Sequence, residues 1–143
     1  MPKNNFVRLI IDTNIWISFL ISDKHRKLDN LLSHPKTKIL FSTELLDEIN
    51  RVSKFPKLKK YFSSHAVEEM LLTLEDYIDL IEVNSKVNIC RDSNDNFLLA
   101  LAKDGKADFL ITGDNDLLSL KMFEKTKIIT LTNFFEELKH YRN

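Results

Sequence analysis

The chain has 143 residues, 43% of them hydrophobic and 29% charged, enough for one domain with a real core and too few for two of ordinary size. Its 21 Lys and Arg balance its 21 Asp and Glu, which excludes a globally basic nucleic-acid binder and leaves only a local patch for that role. The single Cys90 excludes an internal disulfide and is expected in a reducing cytoplasm, and no apolar run has the length of a membrane span or of a secretory leader's core.

Residues 6–11 are a short aliphatic run rich in β-branched types, a pattern that predicts a strand buried on both faces, as in a parallel sheet. Asp12 ends the run abruptly. In open α/β sheets the carboxyl ends of strands face the ligand crevice, so this strand would deliver an acid to the functional edge. The plainer role is a cap, by Asp12 or Thr13, for the helix predicted over 14–21.

A polar helix is expected over 24–33, closed by Pro35, and a second strand over 38–42. The next helix runs to about Ser53 with Ser42 or Thr43 as its cap. Phe55-Pro56 breaks the pattern, and a basic, aromatic segment follows to Phe62. Ser64 then opens a helix in which Val67, Met70, Leu71, Leu74 and Ile78 recur at helical spacing, with a third strand over 80–83. A helix over 93–103 ends near Gly105 and leads into a fourth strand over 107–112. A short helix over 114–120, a fifth strand over 127–131 and a last helix capped by Asn133 complete the chain. Such alternation predicts an α/β fold, a central parallel five-stranded sheet flanked by helices, in a single domain over 1–143.

Acids recur at equivalent places in this scheme: Asp12 after the first strand, Glu48 in the helix after the second, Asp95 in the first turn of the helix before the fourth, and Asp114 and Asp116 after the fourth. At about 100° per residue, Glu48 lies at the edge of the arc set by Leu45, Ile49 and Val52, whereas Asp47 points to solvent. Asp95 shares the inward face of Leu98, Leu99 and Ala102, with Asn96 outward. Each acid also has a plain reading, as a helix-start acid, turn or cap residue. Together, carboxylates at one sheet edge repel one another unless a divalent cation sits among them, and all-oxygen ligation suits Mg²⁺ or Mn²⁺.

Four stretches carry a family resemblance: Asp12-Thr13-Asn14, 42–49, 92–96 with the apolar helix behind it, and 107–118. In their order and spacing the chain resembles PIN-domain proteins, in particular the toxins of toxin–antitoxin systems related to VapC-like ribonucleases. The resemblance implies a Rossmann-like PIN domain with strand order 3-2-1-4-5. It maps the family's acids to Asp12, Glu48, Asp95 and Asp114, with Asp116 as a fifth, and its supporting polar residues to Asn14 and Thr112. The expected function is a metal-dependent endoribonuclease leaving 5′-phosphate and 3′-hydroxyl ends. Asp12, Asp95, Asp114 and Asp116 would hold Mg²⁺ or Mn²⁺, and Glu48 would serve as base. An antitoxin partner, a homodimer and a cytoplasmic location without a membrane are further implications.

RNA needs cationic contacts, for which Arg51 and Lys54, then Lys57, Lys59 and Lys60, and also 24–27, are candidates. Phe55, Tyr61 and Phe62 interleave with the second group and are candidates to stack bases. The alternative function is a non-catalytic nucleic-acid- or partner-binding module on the same fold.

Overall fold

The computed structural model describes residues 6–21, 25–32, 36–62, 65–89 and 95–141. Cys90, Asp92, Ser93, Ser64 and the side chains of the 24–27 patch lie outside the described residues.

Strand β1 (Val7–Ile11) is central, because its aliphatic residues are buried on both faces. It pairs in parallel with β2 (Thr37–Phe41) on one side and β4 (Phe109–Ile111) on the other, with Leu9 opposite both Ile39 and Phe109. Strand β3 (Ile78–Leu80) extends the sheet beyond β2, and β6 (Thr126–Ile129) extends it beyond β4. A short β5 (Met122–Phe123) pairs antiparallel with β6, so the full order is β3-β2-β1-β4-β6-β5. The five parallel strands thus follow the expected order, and β5 is a sixth. It escaped sequence reading because its two-residue hairpin, Glu124 and Lys125, holds neither Gly nor Asn, although Glu124 has φ of 54°.

The helices are α1 (Thr13–Ile21), α2 (His25–Leu32), α3 (Thr43–Ser53), α4 (Ala66–Thr73), α5 (Asn96–Gly105), α6 (Asn115–Leu118) and α7 (Leu131–Tyr141). Trp16 on α1 is fully buried and stacks on Phe41 at 5.3 Å between ring centres, which fixes α1 over the end of β2. Ser42 caps α3 by accepting the Leu45 N–H at 3.1 Å.

Four local expectations need correction. The α4 helix stops at Thr73, and Ile78 lies in β3, because a 3₁₀ turn over Glu75–Tyr77 ends the helical run. Gly105 is the last residue of α5, and Lys106 takes the left-handed conformation (φ 53°). A Cβ on Gly105 would lie 2.7 Å from Leu40 Cδ1, so close helix–sheet approach is what this glycine permits. Asn96 is buried rather than outward, and its Oδ1 accepts the Ile89 N–H at 3.2 Å. At α7 the cap is Thr130, whose hydroxyl accepts the Asn133 N–H at 3.1 Å.

Parallel strands and right-handed crossovers give the molecule two unlike edges. At the amino end, Arg8 of β1 donates to the Gly105 carbonyl at 2.8 Å and pairs with Asp79 of β3 at 2.9 Å. The carboxyl end of α5 is therefore at the amino edge of the sheet. Its ten residues span about 15 Å, close to the length of a five-residue strand, so its N-terminus and Asp95 reach the carboxyl edge. Among the described residues, no helix is long and apolar enough to cross a membrane.

Candidate active site

At the carboxyl edge, β1 and β4 end side by side, joined where the Asp12 N–H donates to the Ile111 carbonyl at 3.0 Å. Asp12 is the residue before α1, and its own carbonyl accepts the first helical N–H groups, from Ile15 and Trp16. Its carboxylate accepts the Thr112 hydroxyl at 2.5 Å and the backbone N–H groups of Thr13 and Asn14. Thr112 Oγ1 in turn accepts the Asp114 N–H at 3.0 Å. Asp114 caps α6, its carboxylate accepting the Leu117 N–H at 3.0 Å. One hydroxyl thus links the Asp12 carboxylate, at the end of β1, to the backbone N–H of Asp114, beyond the end of β4. The cap role and the site role belong to the same atoms.

Burial lifts the Asp12 carboxyl above its ordinary value of 3.8, and the neighbouring charge of Asp114 pushes the same way. The Thr112 hydroxyl and the two backbone N–H groups oppose this and do not cancel it. Among the described residues, the buried hydroxyl oxygen of Thr13, the next residue in the chain after Asp12, has no hydrogen-bond partner. Sequence reading treated Thr13 as a cap only; its place between Asp12 and Asn14 in the motif was the available signal. An under-compensated buried carboxylate is an oxygen donor of the kind that suits a hard divalent cation and not zinc.

The remaining candidates have other surroundings. Glu48 is half-buried on α3, which packs against α1, but its carboxylate is bound to Arg51 at 2.8 Å. Asp47 is exposed. Asp95 begins α5 without capping it, and one of its carboxylate oxygens is buried. Asp116 is half-buried in the first turn of α6. The Asn14 side chain is exposed, and what reaches Asp12 from this residue is the backbone N–H. Among the described residues, no three Asp, Glu, His or Cys side chains converge closely enough to hold a metal ion. The fold therefore joins Asp12 to Asp114 and leaves Glu48 and Asp95 outside that pair. An open groove of about 350 Å³ runs along α5 beside Asp95, lined by Glu44, Lys86, Asn96 and Phe97.

The sequence profile of the PIN domain matches residues 8–116. The chain belongs to the PIN-domain family. It is 32% identical over 146 aligned positions to an uncharacterized protein, MJ1680, of Methanocaldococcus jannaschii, with 94% of each chain covered. Its fold is similar to VapBC2 of Rickettsia felis, solved bound to a DNA fragment from their promoter (TM-score 0.54, 18% identity, 85% of this chain and 96% of that one). It is equally similar to VapC20 of Mycobacterium tuberculosis, described as a sarcin-ricin loop cleaving toxin (TM-score 0.54, 13% identity, 83% and 98%). The PIN domain of human SMG5 also matches (TM-score 0.50, 11% identity, 92% and 98%). At these identities the solved structures establish the PIN fold of this domain and nothing finer.

Proposed function

We propose that this PIN domain is a metal-dependent endoribonuclease. The observation that carries the reading is the Asp12–Thr112–Asp114 linkage at the carboxyl edge, in which burial holds Asp12 poised for a cation. Asp12, Asp95, Asp114 and Asp116 would hold Mg²⁺ or Mn²⁺. Such a cation, when bound, supplies Lewis acidity at the phosphodiester and makes water ionisable near neutral pH. The chain's own residues do the rest. Thr112 fixes the Asp12 carboxylate through its hydroxyl, and the amides of Thr13 and Asn14 hold the same group from the other side. Asn14 orients a phosphate oxygen from the rim. Glu48, released from Arg51, takes the proton of the attacking water. Arg51, freed by the same exchange, and Lys54 hold the backbone phosphates. Water oxygen bonds to phosphorus as the bond to the 3′ oxygen breaks and that oxygen takes a proton from solvent, leaving a 5′-phosphate and a 3′-hydroxyl.

An antitoxin partner that would block the enzyme, a homodimer and a cytoplasmic location belong to the same proposal and come with the resemblance to toxin PIN domains. The pairing of Glu48 with Arg51, and the lack of a three-acid cluster among the described residues, favour a second reading: a module that binds RNA or a partner without cleaving. Incubating a mixed RNA pool with the protein and Mg²⁺ or Mn²⁺ separates the two, with Asp12→Asn and a chelator as controls. The nuclease reading expects cleavage that both controls abolish. Retained RNA binding with no cleavage under any metal or pH gives the case to the binding module.

A further inference from the structure

We propose that residues 51–61 form a stacking platform for single-stranded RNA, with Phe55 and Tyr61 receiving unstacked bases. The choice of RNA rests on the nuclease reading; the platform itself rests on the surface. Arg51, Lys54, Lys57, Lys59 and Lys60 fall within this stretch, which contains no Asp or Glu, in a chain that is otherwise balanced. All five are exposed. Among the described residues none of the four lysines is held in an ion pair.

Two aromatic rings stand out of this cationic surface, Phe55 at 42% and Tyr61 at 50% exposure. Each has a cation over it, Arg51 at 5.3 Å from the Phe55 ring centre and Lys60 at 5.2 Å from that of Tyr61. The fold does not need these rings. The segment is anchored instead by Leu58 and Phe62, which pack against the core. The backbone between them is fixed by its own hydrogen bonds: the Phe55 carbonyl accepts from Leu58 and Lys59 at 2.8 and 2.9 Å, and the Leu58 carbonyl from Tyr61 at 2.9 Å. The rings are thus presented on an ordered turn. Arg51 ties the platform to α3, since one guanidinium pairs with Glu48 and covers Phe55.

Cations and π-faces side by side suit a strand whose phosphates and splayed bases meet them together. A duplex keeps its bases stacked inside and offers only its backbone and groove edges. The same composition would also suit an anionic membrane surface, so lipid is an arm of the test.

Binding is measured on Asp12→Asn protein with chelator present, which removes cleavage. The probes are a labelled oligouridylate of about twelve nucleotides, within the span such surfaces cover, the corresponding RNA duplex, and vesicles containing phosphatidylserine. We expect the single strand to bind at least about tenfold more tightly than the duplex. Phe55→Leu and Tyr61→Leu should each weaken it by about fivefold to 150-fold without changing its salt dependence. Phe55→Trp should restore binding, and quenching of a 2-aminopurine in the strand should be lost in the leucine variants and kept in the tryptophan one. Replacing Lys54, Lys57 and Lys60 together by Gln should lower the salt slope by about 2. The platform is overturned if the leucine variants bind within about twofold of the parent, if the duplex binds as well as the strand, or if the vesicles outcompete both. If wild-type protein fails to cleave while Phe55-dependent binding persists, the nuclease reading falls and the platform stands. If it cleaves while the leucine variants bind normally, the reverse holds.

Discussion

Two carboxylates of this protein meet opposite fates. Asp104, near the carboxyl end of α5, accepts three hydrogen bonds, from the Asn84 N–H at 2.6 Å, the Ser85 N–H at 2.8 Å and the Ser85 hydroxyl at 2.5 Å. These hold its carboxyl below its ordinary value of 3.8. Asp12 also accepts a hydroxyl and two backbone N–H groups, yet its carboxyl is raised, because burial and Asp114 outweigh them. The first acid is complete within the protein and ties the 84–85 segment to α5. The second is not fully compensated within the protein, and the proposed cation would supply the positive charge it lacks. The comparison separates an acid that holds the fold together from one that the fold holds ready.

The sharpest way to break this contrast is to remove each charge in turn. Asp12→Asn should lower RNA cleavage by at least about a hundredfold, whereas Asp104→Asn should leave it within about threefold, both read by gel assay with Mn²⁺. Next in size is Thr112→Val, which removes the hydroxyl that donates to Asp12 and strands the Asp114 N–H. We expect a loss of about 10- to 100-fold in Mn²⁺ affinity, measured by calorimetry, and about 1–3 kcal/mol in unfolding free energy. Asp104→Ala should cost about 1 kcal/mol by urea unfolding, a low figure for three charge-assisted bonds because solvent screens them.

The smallest effect is the most discriminating, since the two acids differ in sign. A depressed carboxyl contributes stability above pH 3.8 that is lost as pH falls through its folded value, so the deficit of Asp104→Ala should fade only below 3.8. A raised carboxyl makes the native state favour its protonated form. That stability is present below 3.8 and lost as pH rises through the folded value. Metal-free Asp12→Asn should therefore melt above the wild type at neutral pH, and the gap should close on acidification before the Asp104 deficit begins to fade. Adding Mn²⁺ should raise the wild-type melting temperature and leave that of Asp12→Asn unmoved.

Much of the architecture was legible in one dimension because its causes are local. The aliphatic run 7–11 could only be a doubly buried strand, and Ser42 marked the start of α3 by chemistry that needs no distant partner. Failures came where a distant packing partner outweighed local preference. Asn96 was placed outward by helical phase, but α5 is buried on several sides, and the Ile89 N–H gives its amide a partner. Ile78 kept the rhythm of α4 and was taken by pairing with Ile39 instead. Hairpin β5 carries no turn signature, because neighbouring structure holds Lys121 and Glu124 at positive φ.

For the site, the sequence by itself determined that Asp12 follows the first strand and Asp114 the fourth, and the parallel pairing of those strands then brought the two to one edge. Only the tertiary structure decided which of the acids meet. It placed Thr112 where one hydroxyl serves both Asp12 and Asp114, and it gave Glu48 to Arg51. The reason is physical: an element's type follows from spacing along the chain, but the ionisation of a carboxylate follows from burial and from neighbours about a hundred residues away.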